Sequence, residues 1–171
     1  MPALENSWGI AYCRPSDELG VGEFDALAEE WREWGYRLAL KITGCHDAAL
    51  DALQEACVKA YRARRSLREA ASAEAWFRRI VVRCALGQKP RPSGALTGFE
   101  VSGEAHPMDR IQVQITLCRL KPWQRAILAL AIGEGMSYAE IAYALGIPIG
   151  TVGSRLDAAK KAFRKQWGDE R

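Results

Sequence analysis

LKPWQRAILALAIGEGMSYAEIAYALGIPIGTVGSRLDAAKKAF, residues 120–163, reads as two helices joined by a tight turn and preceded by a third. Pro122 suits the first turn of a helix, where its missing N–H would have no partner anyway, and that helix is predicted to run through Ile132 until Gly133 and Gly135 break it. Ser137 with Glu140 three residues on is a capping box, in which each residue satisfies a backbone donor of the other. The helix that follows, Tyr138 to Leu145, is short and stops at Gly146. Two helices crossing steeply need a small residue at the crossing, a turn residue that accepts positive φ, and an apolar anchor beyond it. Ala142, Gly146 and Val152 stand at those places. Pro148 then opens a second helix whose exposed start, with Thr151, Ser154 and Arg155, has the form that enters a DNA major groove. Ser137 flanks that start, and Lys160, Lys161, Arg164 and Lys165 follow it as candidate phosphate contacts. The plainer alternative is a helical bundle with a basic tail.

Outward from this motif, residues 87–107 (GQKPRPSGALTGFEVSGEAHP) are crowded with glycine and proline and sustain neither helical nor strand periodicity, so they are expected to form a flexible linker. Before the linker, Phe24, Leu27, Trp31, Trp34, Leu38 and Ile42 recur every three or four positions, one buried stripe of a helix of about 20 residues. Gly44 is a natural C-terminal cap and Asp47 a candidate cap for the next helix, whose apolar positions are Leu50, Leu53, Cys57 and Ala60 or Tyr61. A third helix is predicted from about Ala73 to Leu86, with Trp76, Phe77, Ile80, Val81 and Cys84 among its arginines. No alternating strand pattern occurs. The expected class is all-α, two small helical domains without a fixed mutual orientation: an extension over 1–22, a first domain over 23–86, the linker over 87–107, and a helix-turn-helix domain over 108–171.

At 171 residues and 49% hydrophobic content the chain is long enough for two small cores. No stretch approaches the roughly 20 apolar residues a membrane span requires, and the N-terminus lacks a basic start followed by an apolar block, so no membrane insertion and a cytoplasmic site are expected. Cys13, Cys45, Cys57, Cys84 and Cys118 are odd in number and never form CxxC, which argues against a disulfide scaffold or a zinc ribbon. The pair Cys45–His46 beside Cys57 is the nearest thing to a metal site, and with two histidines in the chain it is weaker than its reading as small buried residues; no cofactor is expected. No histidine is placed with a nucleophile or metal set and no glycine loop cradles phosphate, so the chain does not read as an enzyme. The net charge of +3 conceals a polarity: residues 1–58 carry 11 acids and 4 bases, residues 59–171 carry 10 acids and 20 bases. One end suits a basic protein surface and the other a polyanion.

SYAEIAYALGIPIGTVGSRL with LKPWQRAILAL before it resembles region 4 of the extracytoplasmic-function sigma factors, the smallest members of the sigma-70 family. FDALAEEWREWGYRLALKITGCHDAALDALQEACVKAYRARRSL followed by AEAWFRRIVVRCAL resembles their region 2. The resemblance covers residues 23–86 and 108–167 and implies a subunit that brings RNA polymerase to promoters. It matches Asp51, Gln54 and Glu55 to the DxxQE motif that docks on the β′ clamp helices of core RNA polymerase; by spacing alone these are an exposed polar stripe at i, i+3 and i+4. It places minus 10 element contacts in the basic stretch holding Arg62, Arg64, Arg65, Arg68, Arg78, Arg79 and Arg83, where a cationic groove suits a separated strand; Trp76 and Phe77, in the same stretch, read more readily as core. Region 4 implies minus 35 contacts from Ser137, Thr151, Ser154, Arg155, Lys160 and Lys161, and a seat on the β flap. An anti-sigma factor is a further partner implied by the family.

Three departures qualify the resemblance. Where the family commonly has GTVKSRLHRAR this chain has GTVGSRLDAAK, so Gly153, Asp157 and Ala158 replace two bases and a histidine, and weaker or altered binding to the upstream promoter element is expected. Gly153 also costs about 1 kcal/mol of helix stability relative to alanine. In the first domain Arg83 and Gly87 stand where the family usually has asparagine and aspartate. Two other readings follow: a sigma-like decoy that binds polymerase or an anti-sigma factor without reading promoters, and a LuxR-type regulator, which gives no account of the first domain.

Overall fold

The computed structural model describes residues 21–64, 67, 72–89 and 107–168. Among these the chain is helical, without strands: α1 (Val21–Thr43), α2 (His46–Ala63), α3 (Ala73–Gly87), α4 (Pro107–Cys118), α5 (Pro122–Leu128), a π-helical turn (Ala129–Gly133), α6 (Tyr138–Leu145) and α7 (Ile149–Gly168). Residues 1–20 and 90–106 lie outside the described part, and with them nearly all of the predicted extension and linker. No helix of the described residues is long and apolar enough to cross a membrane.

In the first unit α1, α2 and α3 pack on one another. The stripe read from α1 is the core: Phe24, Leu27, Trp31, Leu38 and Ile42 are buried, and Phe77 of α3 stacks on Trp31 at 4.8 Å and meets Trp34 edge-on at 5.7 Å. Trp76 packs against the core from its rim. α1 ends at Gly44, whose φ of 68° is the left-handed turn that a side chain would strain. Asp47 is not the cap of α2: the helix begins at His46, with Cys45 in the cap position and Asp47 inside the first turn.

The inward face of α2 is alanine. Ala48, Ala49, Ala52, Ala56 and Ala60 are buried with Leu53, so α1 and α3 approach its backbone closely. Leu50, predicted on the buried stripe, is instead 38% exposed, because the small residues bring the other side of the helix inward.

In the second unit the predicted single helix from Pro122 is α5 with a π turn at its end. Glu134 N donates to Ala129 O and Met136 N to Leu130 O, a wider winding that takes in Gly133 and leaves Gly135 beyond it. α5, α6 and α7 enclose Ile127, Leu130, Ile141, Val152 and Leu156.

The expectation of two units with no fixed mutual orientation is corrected. α5 packs against α1 and α6 against α3, and the buried apolar residues of both units form one continuous cluster. Arg125 is the centre of that junction. It is 8% exposed; its Nε donates to Ile42 O (2.7 Å) and Nη2 to Thr43 O (3.0 Å) at the end of α1, while Nη1 donates to Cys118 O and Leu120 O (3.0 Å each) at the end of α4. One guanidinium thus satisfies carbonyls that the last turns of two helices leave without partners, and its charge faces the negative end of each. Burial pulls Arg125 below the ordinary arginine value. Beside it, Lys41 Nζ donates to Glu134 Oε1 at 2.7 Å, with both side chains largely shielded from water.

Candidate nucleic-acid interface

The helix-turn-helix forms as its local chemistry dictates. Ser137 N donates to Glu140 Oε2 (2.8 Å), Ser137 Oγ donates to the same oxygen (2.7 Å), and Glu140 N closes the box on Ser137 Oγ (3.4 Å). These bonds stabilise the carboxylate and hold Glu140 below the ordinary carboxylate range, the hydroxyl contributing most. α6 ends at Gly146 with φ 67°, and Ile147 N reaches back to Ala142 O at 3.0 Å, so the turn is fixed at both of its sides. Val152, Leu156 and Ala159 turn α7 inward against α5 and α6.

The opposite face of α7 is left outside. Ser154, Arg155 and Lys161 are exposed, Thr151 and Lys160 half-buried, and Ser137 is exposed at the neighbouring helix start. Ser154 Oγ donates to Thr151 O at 3.0 Å, so its hydroxyl proton is held within the helix. Asp157 and Ala158 share the exposed side, and Arg164 and Lys165 extend it toward the end of the helix. Tyr138 and Ile149, large and exposed at the starts of α6 and α7, were not singled out from the sequence. Only their exposure marks them, and periodicity carries no such signal.

The basic residues of the first unit divide into two groups. Arg62 is exposed, and Arg64 lies over the Tyr61 ring (4.2 Å) while donating to Tyr61 O (2.8 Å). Arg65 and Arg68 lie outside the described residues. The three arginines of α3 lie against the helix-turn-helix, Arg78 and Arg79 half-buried and Arg83 still partly open to solvent. Arg79 lies over the Tyr143 ring at 4.7 Å, Arg83 presses its guanidinium against Gly146, and Arg78 pairs with Glu74, lies 5.2 Å from the Trp34 ring centre and points Nη1 at Met136 Sδ (3.8 Å). The Nε of Arg78 is buried without a hydrogen-bond partner.

Asp51, Gln54 and Glu55 are exposed on α2. Glu55 accepts from Lys59 Nζ (2.7 Å) and from Gln88 Nε2 (3.2 Å), and the first of these bonds raises Lys59 above the ordinary lysine value. Exposed Leu50 and Val58 flank the stripe, so the face combines a carboxylate row with apolar surface. Sequence periodicity assigned Leu50 to the core and so missed its place here. Of the thiols weighed as metal ligands, Cys45 is buried and burial pushes Cys57 up, while His46 Nδ1 lies 2.6 Å from the Tyr36 hydroxyl. The described residues hold no group of three or more metal-ligating side chains.

Two helical units in this order, the second a helix-turn-helix, are those of a sigma-70-type transcription factor: the model of Sigma-70 region 2 matches residues 27–88 and that of Sigma-70, region 4 matches residues 110–163. The chain is 32% identical over 151 residues to the ECF RNA polymerase sigma factor SigM of Mycobacterium tuberculosis, covering 85% of this chain and 77% of that protein. It is likewise 32% identical over 151 residues to the RNA polymerase sigma-H factor of Pseudomonas aeruginosa, covering 75% and 78%. The solved structure of the sigma factor RpoE from Bartonella quintana, in complex with the anti-sigma factor NepR, superposes with a TM-score of 0.65 at 22% identity, over 88% of this chain and all of the other. The chain belongs to the extracytoplasmic-function sigma factors of the sigma-70 family.

Proposed function

We propose that this protein is an RNA polymerase sigma factor that binds the core enzyme and directs it to promoters, acting by recognition and catalysing no reaction itself. The observation that carries the reading is the pairing, on one chain of this family, of an exposed acidic stripe on α2 with a helix-turn-helix whose α7 leaves Arg155 and Lys161 in solvent. In this reading Asp51, Gln54 and Glu55 meet the β′ clamp helices. The region 4 unit sits on the β flap and reads the minus 35 element through the start of α7, with Ser137, Thr151, Ser154 and Arg155 near the bases and Lys160 and Lys161 toward phosphates. The minus 10 element falls to Arg62, Arg64, Arg65, Arg68, Arg78, Arg79 and Arg83. An anti-sigma factor is a natural further partner, as the relative RpoE was solved with one.

In vitro transcription with core polymerase on a genomic fragment library tests this directly: discrete start sites are expected. Polymerase binding without initiation would favour a decoy, and duplex binding without polymerase affinity a stand-alone regulator. Arg155→Ala should weaken duplex binding by about tenfold, as one lost base or phosphate contact does, with polymerase affinity unchanged; replacing Asp51 and Glu55 by alanine should have the opposite pattern. Promoter occupancy that ignores Arg155→Ala would place the recognition helix elsewhere.

A further inference from the structure

We propose that the chain carries its own latch: α6 of the helix-turn-helix occupies the basic face of α3, so the free protein is closed toward separated promoter DNA while its polymerase face stays open. The inference rests on the sigma-factor reading for the role of that face, but its structural half stands on contacts alone.

Four observations support it. Three of the seven side chains assigned to the opened strand, those on α3, are engaged by α6 and its flanks, Arg79 by Tyr143, Arg83 by Gly146 and Arg78 by Met136. A Cβ on Gly146 would come within 2.9 Å of Arg83 Nη2, so at this point the guanidinium lies directly on the turn and a DNA backbone has no room between them. The closed arrangement is held from outside the DNA-contacting residues, by Arg125 on the end of α1 and by the Lys41–Glu134 pair. Asp51, Gln54 and Glu55, on α2, remain exposed.

The latch is built to release. Its contacts on α3 are the cation–π contact of Arg79, the thioether contact of Arg78 and the packing of Arg83 on Gly146, none of them an ion pair, so a phosphate or an opened base can take their place. The buried, unpartnered Nε of Arg78 is relieved as soon as water or a phosphate oxygen reaches it. Polymerase docking on α2 requires no opening, so the expected order is docking first, separation of the units next, and contact of α3 with the strand last.

The test uses the full chain with Lys41→Glu and Tyr143→Ala, neither of which is itself a residue of the docking stripe or a proposed DNA contact; Tyr143 is chosen because it covers Arg79. Small-angle scattering reads the separation of the units. A fluorescent single-stranded DNA of mixed sequence reads the α3 face, and bacterial core polymerase reads the α2 face. Lys41→Glu removes a base and adds an acid, so simple electrostatics predicts weaker DNA binding; the latch predicts a larger radius of gyration and several-fold tighter binding. Tyr143→Ala should act in the same direction, and the charge-reversed pair Lys41→Glu with Glu134→Lys should return the compact form and the weaker binding. Core polymerase should bind wild type and Lys41→Glu equally. The latch is overturned if both single variants stay as compact as wild type, or expand with no gain for DNA. Tighter polymerase binding by Lys41→Glu overturns the open docking face. Failure of every form to bind polymerase counts against the sigma-factor reading, while scattering and DNA binding still decide the latch.

Discussion

Arg125 shows how much one side chain can hold. A hydrogen bond from a charged donor is worth about 1.5–3 kcal/mol, and Arg125 makes four of them from a site 8% exposed. Arg125→Ala is expected to lower stability by about 3 kcal/mol in a denaturant titration, since the carbonyls of Ile42 and Thr43 lose their partner. Arg125→Lys should lose nearly as much, because a single ammonium cannot span the ends of α1 and α4 at once. Glu140 acts through its charge. Its folded-state pKa is depressed by the Ser137 bonds, so its contribution to α6 is complete above the ordinary carboxylate range and is lost as acid takes the pH down through the lowered value. Glu140→Gln should therefore melt earlier than wild type near neutrality, and the gap in melting temperature should close in acid. Equal gaps at both pH values would show that the carboxylate's charge plays no part. Ser137 and Glu140 announce this role in the sequence by their spacing, whereas Arg125 does not: in a row of helical residues it reads as one more surface base, and only the fold reveals what it faces.

At the scale of the helix, residue 153 separates recognition from stability. A Cβ there would meet Tyr138 Cε2 at 3.6 Å, ordinary contact, so Gly153→Ala should raise stability by about 1 kcal/mol through helix propensity alone, read as a shift in denaturant midpoint. Its neighbours Ser154 and Arg155 stay exposed, so duplex affinity should change little. The helices themselves were largely legible. The aromatic and aliphatic stripe of α1 alternates at helical spacing, and the cap and turn residues of α6 have few other uses. The orientation of α2 was not legible, because alanine contributes almost nothing to a hydrophobic pattern yet permits the closest approach; the eye follows Leu50, and the packing follows Ala49, Ala52 and Ala56. The π turn after α5 was hidden as well, since the residues of 129–133 carry no pattern that separates its wider winding from an ordinary helical turn.

For the whole molecule, sequence patterns resolved two units and a glycine- and proline-rich connection but not the contact between the units. Periodicity reports which face of a helix is apolar, not which distant helix covers it, and the contact also uses arginines and a lysine that such patterns leave to solvent or to DNA, and a glycine read only as a turn residue. The charge polarity suggests separate tasks for the two ends of the chain. Its finer consequence, that the basic face of the first unit lies under the second, required the packing of α3 on α6. A protein of this design is regulated before any partner arrives, since the same arginines serve as internal adhesive and as candidate strand contacts.

The connection between the last residue of α3, Gly87, and the first of α4, Pro107, also sets a geometric ceiling. Twenty peptide steps, at about 3.3–3.6 Å each, span no more than about 70 Å when pulled straight. That distance corresponds to roughly 20 base pairs of B-form duplex at 3.4 Å per step. Once parted, the two attachment points can be drawn no farther apart than that, so the covalent leash, together with the dimensions of the two units, limits how widely spaced a pair of sequence elements the chain can grip at once.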